Sequence, residues 1–197
     1  MSTGSPRVGI VAIQGDFEQH IAMVDGLGLA TAELRVPEDL VGCTHVIIPG
    51  GESTTVGLLM QRYGLGDALI AAGRRGLAIW GTCMGMIMLA ERIEGRNQYS
   101  LGLLDVTVRR NAFGRQVASF EDTLRMAGPD REVTGVFIRA PIVTEVGPAV
   151  EVLARYEGEI VAVRQGNVLG TSFHPELTSD TGVHAWFLGL NAASNPS

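Results

Sequence analysis

Strand-like segments at 7–13 (RVGIVAI), 31–36 (TAELRV), 45–49 (HVIIP) and 77–81 (LAIWG) alternate with helix-like stretches at 17–27, 54–64, 66–76 and from Met84 onward. This alternation constrains the fold more than any other feature. Strands separated by helical crossovers run parallel, and a parallel sheet must be covered on both faces. The first half therefore predicts an α/β fold with a mostly parallel central sheet and helices on both sides. Segments at 103–110, 133–141, 150–156, 159–165 and 168–173 also read as strands, but without helices between them, so some antiparallel pairing is expected there. The stretch 180–190 reads as a closing helix. In such sheets ligands bind beyond the C-terminal ends of strands. Three glycine-containing stretches fall at strand ends: Gln14-Gly15-Asp16, Pro49-Gly50-Gly51-Glu52-Ser53 and Gly81-Thr82-Cys83.

With 197 residues, 46% hydrophobic and 18% charged, the chain suits one well-filled domain over 1–197, with loose tails at 1–6 and 192–197. The net charge of −6, with Lys and Arg never clustered beyond a pair, argues against nucleic acid and against an anionic membrane as partners. Cys43 and Cys83 form neither a CxxC motif nor a disulfide framework, which points to a reducing cytoplasm. The apolar run 8–13 is too short for a signal segment, and no run approaches the roughly 18 residues of a membrane span.

Cys83 stands where the strand 77–81 turns into a helix-like run, between Gly81 and Gly85. Those glycines permit a sharp, closely packed turn that would place the thiol at the first turn of a helix, where free N–H groups point outward. Serine hydrolases build their nucleophile elbow in this way. The plain alternative is a small buried hydrophobe. In SFHPEL, His174 and Glu176 lie two apart; in an extended segment they face the same way, so the carboxylate can orient the imidazole. Otherwise His174 merely ends a strand in a polar crevice. His20, His45 and His184 lack such a setting and read as structural or solvated, and Cys43 reads as packing. No His, Cys and carboxylate set has zinc-site spacing, so neither a metal nor a cofactor is required.

PGGEST lacks the GxxxxGKS pattern of a phosphate cradle. As an oxyanion loop it fits better, because Gly50 and Gly51 expose backbone N–H groups and the peptide between them rotates at low steric cost. It can equally be an ordinary turn with Ser53 or Thr54 as helix N-cap. Arg109, Arg110, Arg115 and Arg139 are candidates for holding a substrate carboxylate, and spacing does not choose among them.

Taken together, GTCMG, PGGEST and FHPE resemble the class I, triad-type glutamine amidotransferases, whose sheet has flavodoxin-like layering. AIQGDFEQH, RRNAFGRQ, GVFIRAP and SFHPELT narrow the resemblance to the glutaminase subunits of pyridoxal 5′-phosphate synthase, over about 8–190. The resemblance implies hydrolysis of L-glutamine to glutamate and ammonia, with the ammonia passed to a separate synthase (lyase) subunit in a large hetero-oligomer. It implies Cys83 as nucleophile, His174 as general base and acid, and Glu176 as orienting carboxylate. The N–H groups of Gly51 and Met84 would hold the oxyanion, and Gly51, Glu52, Ser53, Arg110, Ile138 and Arg139 would hold glutamine. Met84 departs from the small alanine usual in the family. The rival readings are a glutaminase of another synthase, such as imidazole glycerol phosphate synthase, an elbow-cysteine chaperone or deglycase, and a scaffold with a relic triad.

Overall fold

The computed structural model describes residues 6–113 and 119–189. Strand β1 (Arg7–Val11), helix α1 (Phe17–Gly26), β2 (Ala30–Leu34), β3 (His45–Ile48), helices α2 (Ser53–Arg62) and α3 (Leu65–Arg74), and β4 (Ala78–Thr82) form the alternating first half. Helix α4 (Met84–Leu89), β5 (Ala90–Ile93) and β6 (Leu104–Arg109) follow. Then come β7 (Ser119–Met126), β8 (Arg131–Ile138), β9 (Ile142–Val146), β10 (Glu151–Tyr156), β11 (Glu159–Gln165), β12 (Val168–Thr171) and helix α5 (Gly182–Gly189).

The main sheet has the order β2-β1-β3-β4-β12-β11-β9-β6-β5, with β10 also paired to β11. It is parallel from β2 through β12 and again at β5 with β6. Pairing is antiparallel around β11, β9 and β10. Alternate strand residues feed opposite faces. Ile48 and Ile79 pack with Val56, Met60, Leu65 and Leu69 on one face. Ile47, Ala78 and Trp80 pack with Val24, Val183 and Phe187 on the other. Two covered faces explain why the central strands are apolar throughout rather than alternating. The β7–β8 hairpin is a separate two-stranded sheet, tied in by Leu124, Met126, Val133 and Phe137.

Register decides what meets at the sheet's C-terminal edge. Ile48 pairs with Gly81, and Thr82 pairs with Thr171. The loop after β3, the turn after β4 and the segment after β12 are thereby brought side by side.

The expected mostly parallel sheet with helices on both faces is present, and most expected elements differ from those observed only at their ends. The exceptions are instructive. The helix-like stretch from Met84 lasts only six residues, because the Met88 and Leu89 carbonyls accept from the Leu101 and Leu103 N–H groups instead of continuing the helix. The chain extends at Ala90 and enters the sheet as β5, which the sequence reading did not include. It also passed over β7, a polar strand that buries only Leu124 and Met126, and β9, a short strand just after Pro141. The expected loose tails, apart from Pro6, lie outside the described residues.

Candidate active site

Cys83 caps α4 with φ 50 and ψ −105, an unusual backbone for a residue with a side chain. The turn is possible because both flanking glycines are pressed against backbone. A Cβ at Gly85 would overlap the Ile48 carbonyl, and one at Gly81 would overlap the Gly85 carbonyl group. The Cys83 N–H donates to the Thr171 carbonyl at 2.7 Å, which pins the elbow to the neighbouring strand. The thiol, 8% exposed, donates to the Ile138 carbonyl at 3.7 Å.

His174 follows the adjacent β12, at the start of a 3-10 turn, and its N–H donates to the Val136 carbonyl at 2.8 Å. Its Nδ1 lies 2.6 Å from Glu176 Oε1. The pairing expected from an extended i, i+2 arrangement is present but arises differently. Pro175–Leu177 is a 3-10 turn, and it folds the carboxylate back under the ring. Both side chains are nearly dry, at 3% and 5% exposure. Burial opposes a charged imidazole. Hydrogen bonds to Cys83 and Glu176, with the charges of both, outweigh burial and raise His174 to about 10. Burial likewise pushes the Glu176 carboxyl up, against the pull of His174. The pair is therefore built to hold a proton on the imidazole, next to Cys83.

One cavity of about 370 Å³ opens onto this pair. Gly51, Glu52, Ser53, Cys83, Met84, Arg110, Ile138, Arg139 and His174 all line it, while Glu176 lies behind His174. Structure also chooses among the arginines. Arg110 reaches the cavity, whereas Arg109 faces Glu159 at 3.8 Å and Arg115 lies outside the described residues. Arg139, held at φ 45 after β8, also lines the cavity. Neither Ser53 nor Thr54 is the N-cap of α2. Glu52 is: its carboxylate accepts from the Thr54 and Thr55 N–H groups, and these bonds lower it to about 2. A longer side chain reaches the same N–H groups and still leaves Arg110 within 3.8 Å.

The sequence reading gave several participants no role, although it placed Gln14-Gly15-Asp16 at a strand end. Gln98 donates to Ser53 Oγ and accepts from Arg110 Nη1, both at 3.1 Å, and no periodicity marks it. Gln14 and Asp16 clasp the glycine loop. The Gln14 side chain accepts the Glu52 N–H at 3.1 Å, and the Asp16 N–H donates to the Gly50 carbonyl at 3.3 Å. His20 and His184, read as structural or solvated, are buried together next to Glu176.

Asp16, His174 and Glu176 bring three potential ligand atoms within 4.8 Å of one another. A cation there would have to displace the proton shared at 2.6 Å by His174 and Glu176, so this set suits proton chemistry better than metal binding. No helix among the described residues is long and apolar enough to cross a membrane.

Comparison with known proteins places the chain in a family and a fold. The model of the SNO glutamine amidotransferase family matches residues 10–191. A pyridoxal 5′-phosphate synthase subunit PdxT from Herpetosiphon aurantiacus is 53% identical, over 93% of this chain and 99% of that one. The PdxT subunit from Niallia circulans is 48% identical, over 93% and 97%. A crystal structure of a glutamine amidotransferase, 48% identical, superposes with a TM-score of 0.90 over 94% of this chain and 99% of that one. The Thermotoga maritima PurLQS structure, at 19% identity and a TM-score of 0.74, shares the fold.

Proposed function

The chain belongs to the SNO glutamine amidotransferase family, and we propose that it is the glutaminase subunit of a pyridoxal 5′-phosphate synthase, with 1–197 acting as one catalytic domain. The observation that carries this reading is the elbow cysteine at φ 50, sharing one cavity with a His174–Glu176 pair at 2.6 Å.

Each step follows from those positions. The Cys83 sulfur attacks the side-chain amide carbon of L-glutamine, and the Gly51 and Met84 N–H groups receive the developing oxyanion. His174, as imidazolium, gives its proton to the amide nitrogen. The C–N bond then breaks, releasing ammonia and leaving a γ-glutamyl thioester on Cys83. Water attacks the thioester, His174 takes its proton, and glutamate leaves as the C–S bond breaks. Glu176 keeps the imidazole oriented and stabilises its cation.

Arg110 and Arg139 are the cations that suit the α-carboxylate of glutamine, with Gly51, Glu52, Ser53 and Ile138 completing the pocket. The larger Met84 side chain narrows the wall facing Gly51, leaving its N–H donor intact. Ammonia would pass to a synthase subunit in a large hetero-oligomer, protected from protonation in bulk water. Two free thiols and thiolate chemistry suit a reducing cytoplasm.

Glutamate release from L-glutamine, measured with and without a pyridoxal phosphate synthase subunit, tests the proposal. Release that rises strongly with the partner and disappears in Cys83→Ala supports it. Equal release in both conditions leaves the glutaminase but removes the partner, and no release in either sinks the enzyme reading.

A further inference from the structure

Behind the triad, away from the cavity, lies a dry cluster that the steps above leave unused. His20 on α1 and His184 on α5 are both 0% exposed. His20 Nδ1 lies 2.9 Å from His184 Nε2. The other ring nitrogen, Nε2, lies 3.2 Å from Thr82 Oγ1 and 3.4 Å from Glu176 Oε2. Trp80 packs edge-on to both rings, with centroids 5.8 and 4.8 Å away. Glu176 Oε1 is taken by His174, whereas Oε2 is buried with no hydrogen bond of standard geometry among the described residues. Its nearby ring nitrogen therefore matters, because a buried carboxylate oxygen left without a donor is costly.

Burial keeps both imidazoles neutral, holding His20 well below its usual range and lowering His184 to about 4. Each neutral ring then has one N–H and one lone pair. With its proton on Nδ1, His20 would turn a lone pair toward the Glu176 carboxylate. In the other tautomer, His20 Nε2–H is shared between Thr82 Oγ1 and Glu176 Oε2, and Nδ1 accepts from His184 Nε2–H. The remaining lone pair falls on His184 Nδ1, an atom that has no hydrogen bond among the described residues. Leaving one acceptor on a neutral ring unpaired costs less than stranding a carboxylate oxygen.

We propose that His20 is a positioning residue of the triad: its Nε2–H, set in that tautomer by His184, holds the second oxygen of Glu176 and so fixes the carboxylate that orients His174. The inference rests on the glutaminase reading for its effect on turnover. At 3.4 Å the contact is long and bifurcated, so its worth lies in orientation. The charged or titratable groups around it are His184 and Asp180 from the α5 side, Glu176 and His174 from the 3-10 turn, and Asp16 before α1.

The test compares His20→Leu, which keeps bulk and removes the donor, with His20→Gln, whose amide places an N–H near the position of Nε2. Glutamine hydrolysis is measured with the synthase subunit present. His20→Leu is expected to lower kcat about 10- to 100-fold, the size of one hydrogen bond to a charged group, with KM little changed. His20→Gln should recover most of it. A second readout needs no turnover: alkylation of the Cys83 peptide by iodoacetamide against pH, followed by mass spectrometry. Its thiolate limb should move to higher pH in His20→Leu, because a loosened Glu176 stabilises the His174 cation less. Unchanged kcat and an unchanged alkylation profile in a folded His20→Leu overturn the inference. Should that variant fail to fold, His20→Asn replaces it, since its shorter amide cannot reach Oε2; equal activity of His20→Asn and His20→Gln is then the overturning result. A wild-type complex that releases no glutamate removes the glutaminase reading alone, and the alkylation profiles still decide the role of His20.

Discussion

Gly85 and Gly50 sit on the two turns flanking Cys83, and a side chain added at each would strike a different kind of neighbour. At Gly85 it would overlap the Ile48 carbonyl, a backbone group in the middle of the sheet. At Gly50 it would overlap the imidazole of His174, with the Asp16 carboxylate close by. The elbow is thus walled by backbone that cannot move without unpairing strands. The loop after β3 is held instead by a polar clasp: one 3.3 Å bond from the Asp16 N–H, one 3.1 Å bond to Gln14, and the Glu52 cap. The nucleophile is mounted rigidly, whereas the loop assigned to the oxyanion rests on contacts that can be exchanged. A peptide between two glycines can turn at low cost in such a setting, so hydrolysis can be made to depend on a docked partner.

The largest effect expected is at the rigid turn. Cys83→Ala should remove glutaminase turnover by about 10⁴-fold or more while leaving the urea midpoint near wild type. Gly85→Ala should instead strike the fold, costing about 3 kcal/mol by overpacking against β3, read as a lowered urea midpoint. Comparable stability of Gly85→Ala and wild type would break the contrast between the two turns.

In the adjustable loop the expected losses are catalytic. Gly50→Ala should lower kcat about 10- to 100-fold by displacing His174, with stability changed by less than about 1 kcal/mol. For this reason it is a poor probe of peptide rotation. Gly51→Ala bears more directly on rotation, since at φ 158 a side chain strains the observed backbone and its Cβ would sit 3.3 Å from both the Gln14 carbonyl and Met84 Cε. If the loop turns on docking, the ratio of activity with and without the synthase subunit should change in Gly51→Ala. An unchanged ratio would count against loop gating.

The smallest effect expected is at the cap. Glu52→Gln should cost about 1 kcal/mol at neutral pH, read by thermal unfolding. Because the folded carboxyl is lowered to about 2 from an ordinary 4.5, its contribution is present above pH 4.5 and is lost as the pH falls toward 2. The gap between variant and wild type should close across that window. A gap that persists at pH 2 would show that Glu52 acts through something other than its charge.

Much of the fold was legible because its first half consists of short apolar segments bounded by glycine turns, and these patterns are local. The strand before Cys83, the elbow and the pairing of His174 with Glu176 could all be read from neighbours within a few residues, but the 3-10 turn that makes this pairing could not. The misses share a cause in long-range contact. β5 looked like helix until the carbonyls of Met88 and Leu89 were claimed by 101–103. β7 was passed over because six of its eight residues are exposed or partly so and offer no clear period, and its partner strand supplies the pairing. Gln98 carries no pattern at all; its importance lies entirely in touching Ser53 and Arg110.

The sequence by itself determined the chemistry this chain can perform: a thiol on a glycine-flanked corner, an imidazole with a carboxylate two residues on, and a glycine loop rich in exposed N–H groups. Those depend on residue type and short spacing, which backbone sterics translate directly into local geometry. Tertiary structure decided which groups work together. Parallel pairing of β4 with β12 set His174 beside Cys83. The same packing selected Arg110 over Arg109 for the cavity and drew His20 and His184 into the dry space behind Glu176. Those choices depend on register and on which groups are taken from water, and neither is encoded in any one short stretch.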